Sequence, residues 1–167
     1  MATDPLPFDP VAEARRHWEE HGWGPAADGM AAVTSVMRAQ QILLGRIDEV
    51  LRPTGLTFAR YELLMLLLFS SSGALPLTVV GSRLQVHPTS VTNAVDRLEA
   101  QGLVERRRHD TDRRVWLATL TPSGRASALA ATERLNAEVF TAPGLPTADV
   151  RALVDVLTGL RRDAGDF

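Results

Sequence analysis

Cysteine is absent from the 167 residues, which excludes a disulfide framework, thiolate-ligated zinc and a thiol nucleophile. Lysine is absent as well. All eighteen basic side chains are arginine, whose planar fork of donors suits phosphate and base edges. No uninterrupted apolar run exceeds the seven residues of 63–69, far short of the ~18 that a bilayer-spanning helix needs. The first residues carry Asp4, Pro5, Pro7 and Asp9, with neither a basic start nor an apolar stretch, so no secretory leader is expected and the expected location is cytoplasmic. There is no His-Glu-x-x-His, Gly-x-Ser-x-Gly, phosphate loop or dinucleotide fingerprint, so no catalytic residue, metal or cofactor is expected and the chain reads as a non-enzyme.

What is present is an ordinary globular composition, 45% apolar and 23% charged, long enough for one domain with a full core and an appendage. The net charge of −2 speaks at first against a nucleic-acid partner, but it is unevenly spread. Residues 1–28 carry −4, residues 29–82 carry +1, residues 83–125 carry +3 and residues 126–167 carry −2.

Helical spacing recurs from end to end, with Pro and Gly at the breaks, so a mainly α fold is expected. A short helix fits residues 10–20, with Asp9 as N-cap, Pro10 in the first position and Gly22 just past the end. Residues 21–29 read as a polar joint. Over residues 30–51, Met30, Val33, Met37, Gln40, Leu44, Ile47 and Leu51 step by three and four, an a/d seam that Pro53 and Gly55 terminate. Thr57 opens the next helix, apolar nearly all round over residues 61–69 and therefore central core. Two short helical patterns follow, around residues 78–84 and over residues 88–101, joined only by Gln85, Val86 and His87. That spacing gives a helix-turn-helix, whose second helix can enter a DNA major groove. The strand candidates are residues 103–105 and 116–121, with Val104, Leu117 and Leu120 inward and residues 106–114 as a hairpin tip. From Pro122 to about residue 140 the chain reads as an Ala-rich helix, broken by Pro143, Gly144 and Pro146. A last helix opens at Thr147 as N-cap and carries Val150, Leu153, Val154, Leu157 and Leu160 on one stripe, suited to internal packing or a dimer seam.

On the 88–101 helix, Val91, Ala94, Val95 and Leu98 share one face and anchor it to the core. The opposite face offers Thr89, Ser90, Thr92, Asn93, Asp96 and Arg97, short polar groups that let a helix approach base edges, with Asn93 able to pair bidentately with adenine. An ordinary solvated N-cap region would look similar. The neighbouring hairpin tilts the balance: Arg106, Arg107, Arg108, His109, Arg113 and Arg114, with Asp110, Thr111 and Asp112 between, form a basic wing placed to reach the minor groove.

These residues resemble the MarR (multiple antibiotic resistance regulator) winged helix-turn-helix repressors. The pieces that carry the likeness are Leu56-Thr57 with Tyr61-Glu62-Leu63-Leu64, Val86-His87-Pro88-Thr89-Ser90-Val91-Thr92-Asn93, Val95-Asp96-Arg97-Leu98-Glu99 with Gly102-Leu103-Val104, Asp110-Thr111-Asp112-Arg113-Arg114, and Leu120-Thr121-Pro122-Ser123-Gly124, in matching order and spacing. The resemblance implies an intertwined helical homodimer that binds a pseudo-palindromic operator on double-stranded DNA, with residues 1–28 as a helical extension, 29–54 and 122–163 as the dimerisation region and 55–121 as the DNA-binding lobe. It implies DNA contacts at Thr89, Ser90, Thr92, Asn93 and Arg97, a minor-groove arginine that is either Arg113 or Arg114, and Asp112 as the carboxylate that orients it.

It also implies a small-molecule effector. Trp18 and Glu62 are similar to the pocket residues of a urate-responsive subgroup, although Glu62 stands for Asp and Ala94 for Arg, which weighs against urate itself, and Trp18 also suits plain packing. The competing readings are a winged helix that binds protein without DNA, and an enzyme using Glu62 as acid or base. His17 and His21 share a helical face but have no third metal ligand in the sequence. His87 reads as a cap or phosphate contact.

Overall fold

The computed structural model describes residues 6–167; Asp4 and Pro5, on which part of the leader reading rests, lie outside them. The chain divides into two units, Met1–Arg46 and Ile47–Phe167. Among the described residues no helix is long and apolar enough to cross a membrane.

In the first unit, α1 (Pro10–Glu20) starts where Asp9 caps it: the carboxylate accepts from the Val11 N–H at 2.9 Å, and Pro10 occupies a position whose N–H the helix does not need. Gly22, at φ +80°, turns the chain out. The joint is shorter than the 21–29 expected. It ends at Trp23, because α2 (Gly24–Leu51) begins six residues ahead of Met30, with Pro25 in its first turn and the helix-forming Ala26 and Ala27 behind it. Val33, Met37 and Ile42 on α2 are exposed, whereas Ile47, Val50 and Leu51 at its end belong to the core.

The second unit is built round α3 (Phe58–Phe69), whose Leu63, Leu64 and Leu67 are fully buried. Gly55 (φ +70°) supplies the left-handed turn after the short 3-10 segment Arg52–Thr54. A three-stranded antiparallel sheet of order β1-β3-β2 is formed by β1 (Ala74–Pro76), β2 (Val104–Arg108) and β3 (Trp116–Leu120). The strand β1 was not expected, since three residues ending in proline carry no alternation to recognise. Residues 106–108 belong to β2 and not to the tip, and the inward row is Val104, Leu120 and Ala118, so Leu117 lies on the other face of the sheet.

Before the wing come α4 (Leu77–Leu84) and α5 (Pro88–Ala100); after it come α6 (Pro122–Leu135), a π-helical continuation over Asn136–Phe140, and α7 (Thr147–Asp163). Thr121 caps α6 by accepting the Gly124 N–H at 2.9 Å. A Cβ on Gly124 would stand 2.0 Å from the Leu103 carbonyl oxygen, so only glycine fits where α6 meets the root of β2. At α7, Pro146 is the cap and Thr147 the first helical residue, so the helix starts one position earlier than expected. Its stripe is half-buried at Val150 and Leu157 and exposed at Leu153, Val154 and Leu160.

Candidate nucleic-acid interface

Between α4 and α5 the chain turns at Gln85, whose φ of +51° is the one positive value on a non-glycine residue among the described residues. The Val86 N–H returns to the Gly81 carbonyl at 3.1 Å, and His87 caps α5 through Nδ1, which accepts the Thr89 N–H at 3.2 Å. Val91, Val95 and Leu98 then bury one face of α5, Ala94 is half-buried beside them, and Thr89, Ser90, Thr92, Asn93, Asp96 and Arg97 are all exposed on the other.

The wing is fastened to α5 at its root. Arg106 pairs opposite Ala118, on the inward face of β2. Its guanidinium reaches the Thr92 carbonyl at 3.1 Å and the Asp96 carboxylate, while its backbone N–H donates to Glu99 Oε1 at 3.0 Å. The next arginines stay on the wing. Arg107 pairs with Glu105 at 2.8 Å; Arg108 lies over the Trp116 ring, 3.7 Å from its centre, and donates to the Arg113 carbonyl at 2.7 Å.

At the tip, His109 Nδ1 accepts from the Thr111 N–H at 3.3 Å, which folds the turn. Asp112 holds Arg114 rather than Arg113: the Arg114 Nε and Nη2 donate to its two carboxylate oxygens at 3.1 and 3.2 Å, and the Arg114 backbone N–H adds a third bond at 3.0 Å. The Arg114 side-chain bond is the chief reason that the Asp112 carboxyl lies below its ordinary range. The Arg114 side chain is itself 92% exposed, so an oriented cation projects from the wing tip into solvent.

The two pocket candidates fall in different units. Trp18, on α1, packs edge to face with Trp23, ring centres 5.3 Å apart. Glu62, on α3, is half-buried, and burial pushes its carboxyl up. The two ring nitrogens of His17 lie 3.3 Å from a Glu13 and 3.2 Å from a Glu20 carboxylate oxygen, and His21 Nδ1 lies 2.8 Å from the His17 carbonyl. The Arg106 tie and the Arg108–Trp116 stack are the site features that sequence reasoning missed. Period-2 spacing from Val104 would have turned Arg106 inward, had the charge run not hidden the strand.

A model of the MarR family matches residues 54–115. Sco5413, a MarR family transcriptional regulator from Streptomyces coelicolor, is 51% identical, with a TM-score of 0.78 over 84% of this chain and 97% of its own. The chain belongs to the MarR family. The HTH-type transcriptional regulator YdgJ of Bacillus subtilis is 30% identical over 117 residues, 68% of this chain and 69% of its own length. The regulator CouR is similar as well: from Rhodococcus jostii RHA1 with p-coumaroyl-CoA it shows 29% identity and a TM-score of 0.64 over 75% of this chain and 87% of its own. On a 23-mer DNA duplex it shows 25% identity and a TM-score of 0.70 over 75% and 89%. As a MarR protein the chain is a DNA-binding transcriptional regulator of winged helix-turn-helix fold, a class that performs no chemistry on its partner.

Proposed function

We propose that the protein is a cytoplasmic, homodimeric, ligand-responsive repressor that reads a pseudo-palindromic operator. In this reading Thr89, Ser90, Thr92, Asn93 and Arg97 on α5 meet base edges and flanking phosphates in the major groove, while Arg114, oriented by Asp112, enters the adjacent minor groove. Arg113 meets the backbone alone. The observation that carries the reading is the Arg106 tie, which joins an exposed polar helix face and an exposed oriented cation into one reading head.

Dimerisation is supported by apolar side chains left in water on α2 and α7, among them Val33 at 66% and Val156 at 70% exposure. Residues 29–54 and 122–163 supply that interface, 55–121 the DNA lobe and 1–28 an extension. Two recognition helices on one DNA face require half-sites about one turn, roughly 10 bp, apart. The effector is a small molecule, with Trp18 in the first unit and Glu62 in the second as separate candidate contacts. The relatives support this only in kind, since CouR has been solved both with p-coumaroyl-CoA and on DNA.

Fluorescence anisotropy with the tightest duplex recovered by selection from a random-sequence pool tests the reading. Binding should be tight, salt-sensitive and stronger than to scrambled sequence. Equally weak, salt-insensitive binding to every duplex would sink it.

A further inference from the structure

Beside α5, on its α3 flank, lies a cleft of about 460 Å³ that the wing does not touch. Thr57, just ahead of α3, and Arg60 on its first turn line it together with Asn93 and Arg97 from α5 and Gln101 just past its end, and no carboxylate is among its walls. The Gln101 amide is committed to the Gly55 carbonyl at 3.3 Å. Arg60 donates through Nε to the Thr57 hydroxyl at 3.1 Å, which steadies the guanidinium and leaves its two terminal amino groups free for an acceptor. Arg106, Arg107 and Arg114 each have a carboxylate partner; among the described residues Arg60 and Arg97 have none. Two like charges lining one cleft without a counter-charge repel each other, and an anionic oxygen between them removes that repulsion with charge-assisted bonds from both sides.

We propose that Arg60 and Arg97 seat one phosphodiester of the bound duplex. The inference rests on α5 being the recognition helix. A helix lodged in the major groove is flanked by sugar-phosphate backbone, and the cleft opens beside the exposed Asn93, so the nearest anion in the complex is that backbone. The seat carries no sequence information; it sets how α5 is placed along the groove.

The test uses the full chain, the selected duplex and a scrambled duplex in a salt series. Arg60→Gln should weaken binding severalfold to both, leave the melting temperature unchanged and reduce the slope of log K against log salt by roughly 0.9, the value for one phosphate. Arg60→Lys should recover the slope. Neutral methylphosphonate linkages introduced singly should reveal one position per half-site that penalises the wild type but not Arg60→Gln. An unchanged slope overturns the proposal, as does a scan in which every linkage costs both proteins equally. Stabilisation of the DNA-free protein by inorganic phosphate that Arg60→Gln abolishes, with the salt slope unaffected, overturns it too and gives the cleft to a free anion. If Asn93→Ala weakens the selected duplex while Arg60→Gln does not, only this proposal falls; if neither matters, the assignment of α5 falls.

Discussion

The root and the tip of the wing are built from the same residue type and do opposite things. Arg106 at the root has a side chain 24% exposed, turned inward against Thr92, Asp96 and Glu99 of α5. Arg114 at the tip is 92% exposed, and its one carboxylate partner, Asp112, fixes its direction without covering it. A cluster of arginines in a sequence is therefore no measure of the charge offered to a partner. An arginine that neutralises its own scaffold sets geometry, and one left open is available to DNA.

Removing the root should have the largest effect. Arg106→Ala strands Asp96 and Glu99 near one another and leaves the Thr92 carbonyl without its guanidinium donor, so a destabilisation of about 1–3 kcal/mol is expected, seen as a lower melting temperature. Binding to selected and scrambled duplexes should both suffer, because α5 and the wing lose their fixed spacing; an unchanged melting temperature would place Arg106 with the tip arginines.

Next in size is Asn93→Ala on the reading face. It should cost about 1–3 kcal/mol on the selected duplex and almost nothing on scrambled DNA or in the melt, the signature of a lost base contact. Arg114→Ala follows, weakening both duplexes alike with a salt slope shallower by about one, while Arg113→Ala does so less. Equal effects of the two would remove the distinction that Asp112 draws. Because the Asp112 carboxyl is held below its ordinary range, its contribution is present above the unfolded value and is lost only as pH falls through the lowered folded value. The Arg114 contribution to DNA affinity should therefore be flat through mildly acidic pH.

The smallest effect concerns the opposite carboxylate, half-buried Glu62. Burial raises its folded value, so ionised Glu62 destabilises the fold at neutral pH, and stability should rise as pH falls through that value. Glu62→Gln should raise the melting temperature slightly at neutral pH, and the gain should vanish below the ordinary Glu range. A gain that persists in acid would assign the effect to packing.

Much of this arrangement was legible because punctuation residues act locally. Pro10, Pro88 and Pro122 each open a helix, Asp9 caps one, and Gly55 and Gly102 each end an element with positive φ. The apolar face of α5 followed directly from its 3.6-residue period. The wing strands were harder. Three consecutive arginines mask a period of two, so residues 106–108 looked like a tip, and Leu117 was set inward in place of the smaller Ala118. The choice between Arg113 and Arg114 was beyond spacing, since either adjacent side chain can reach Asp112 and only the turn folded around His109 decides between them. Arg60 was invisible for a different reason: its relation to Arg97 exists only once α3 and α5 are packed.

The glycine at the start of α6 limits how any signal can reach DNA. Gly124 leaves no room for even one carbon against the Leu103 carbonyl, and the neighbouring Thr121 donates its hydroxyl to the Gly102 carbonyl at 2.8 Å, so the end of α5, the first wing strand and α6 meet in one seam without slack. A joint that tight cannot serve as a hinge. Displacement of α6 must carry the recognition helix and the wing along as a single lever, so in the homodimer proposed above an effector would act by changing the distance between two intact reading heads, not by bending either one.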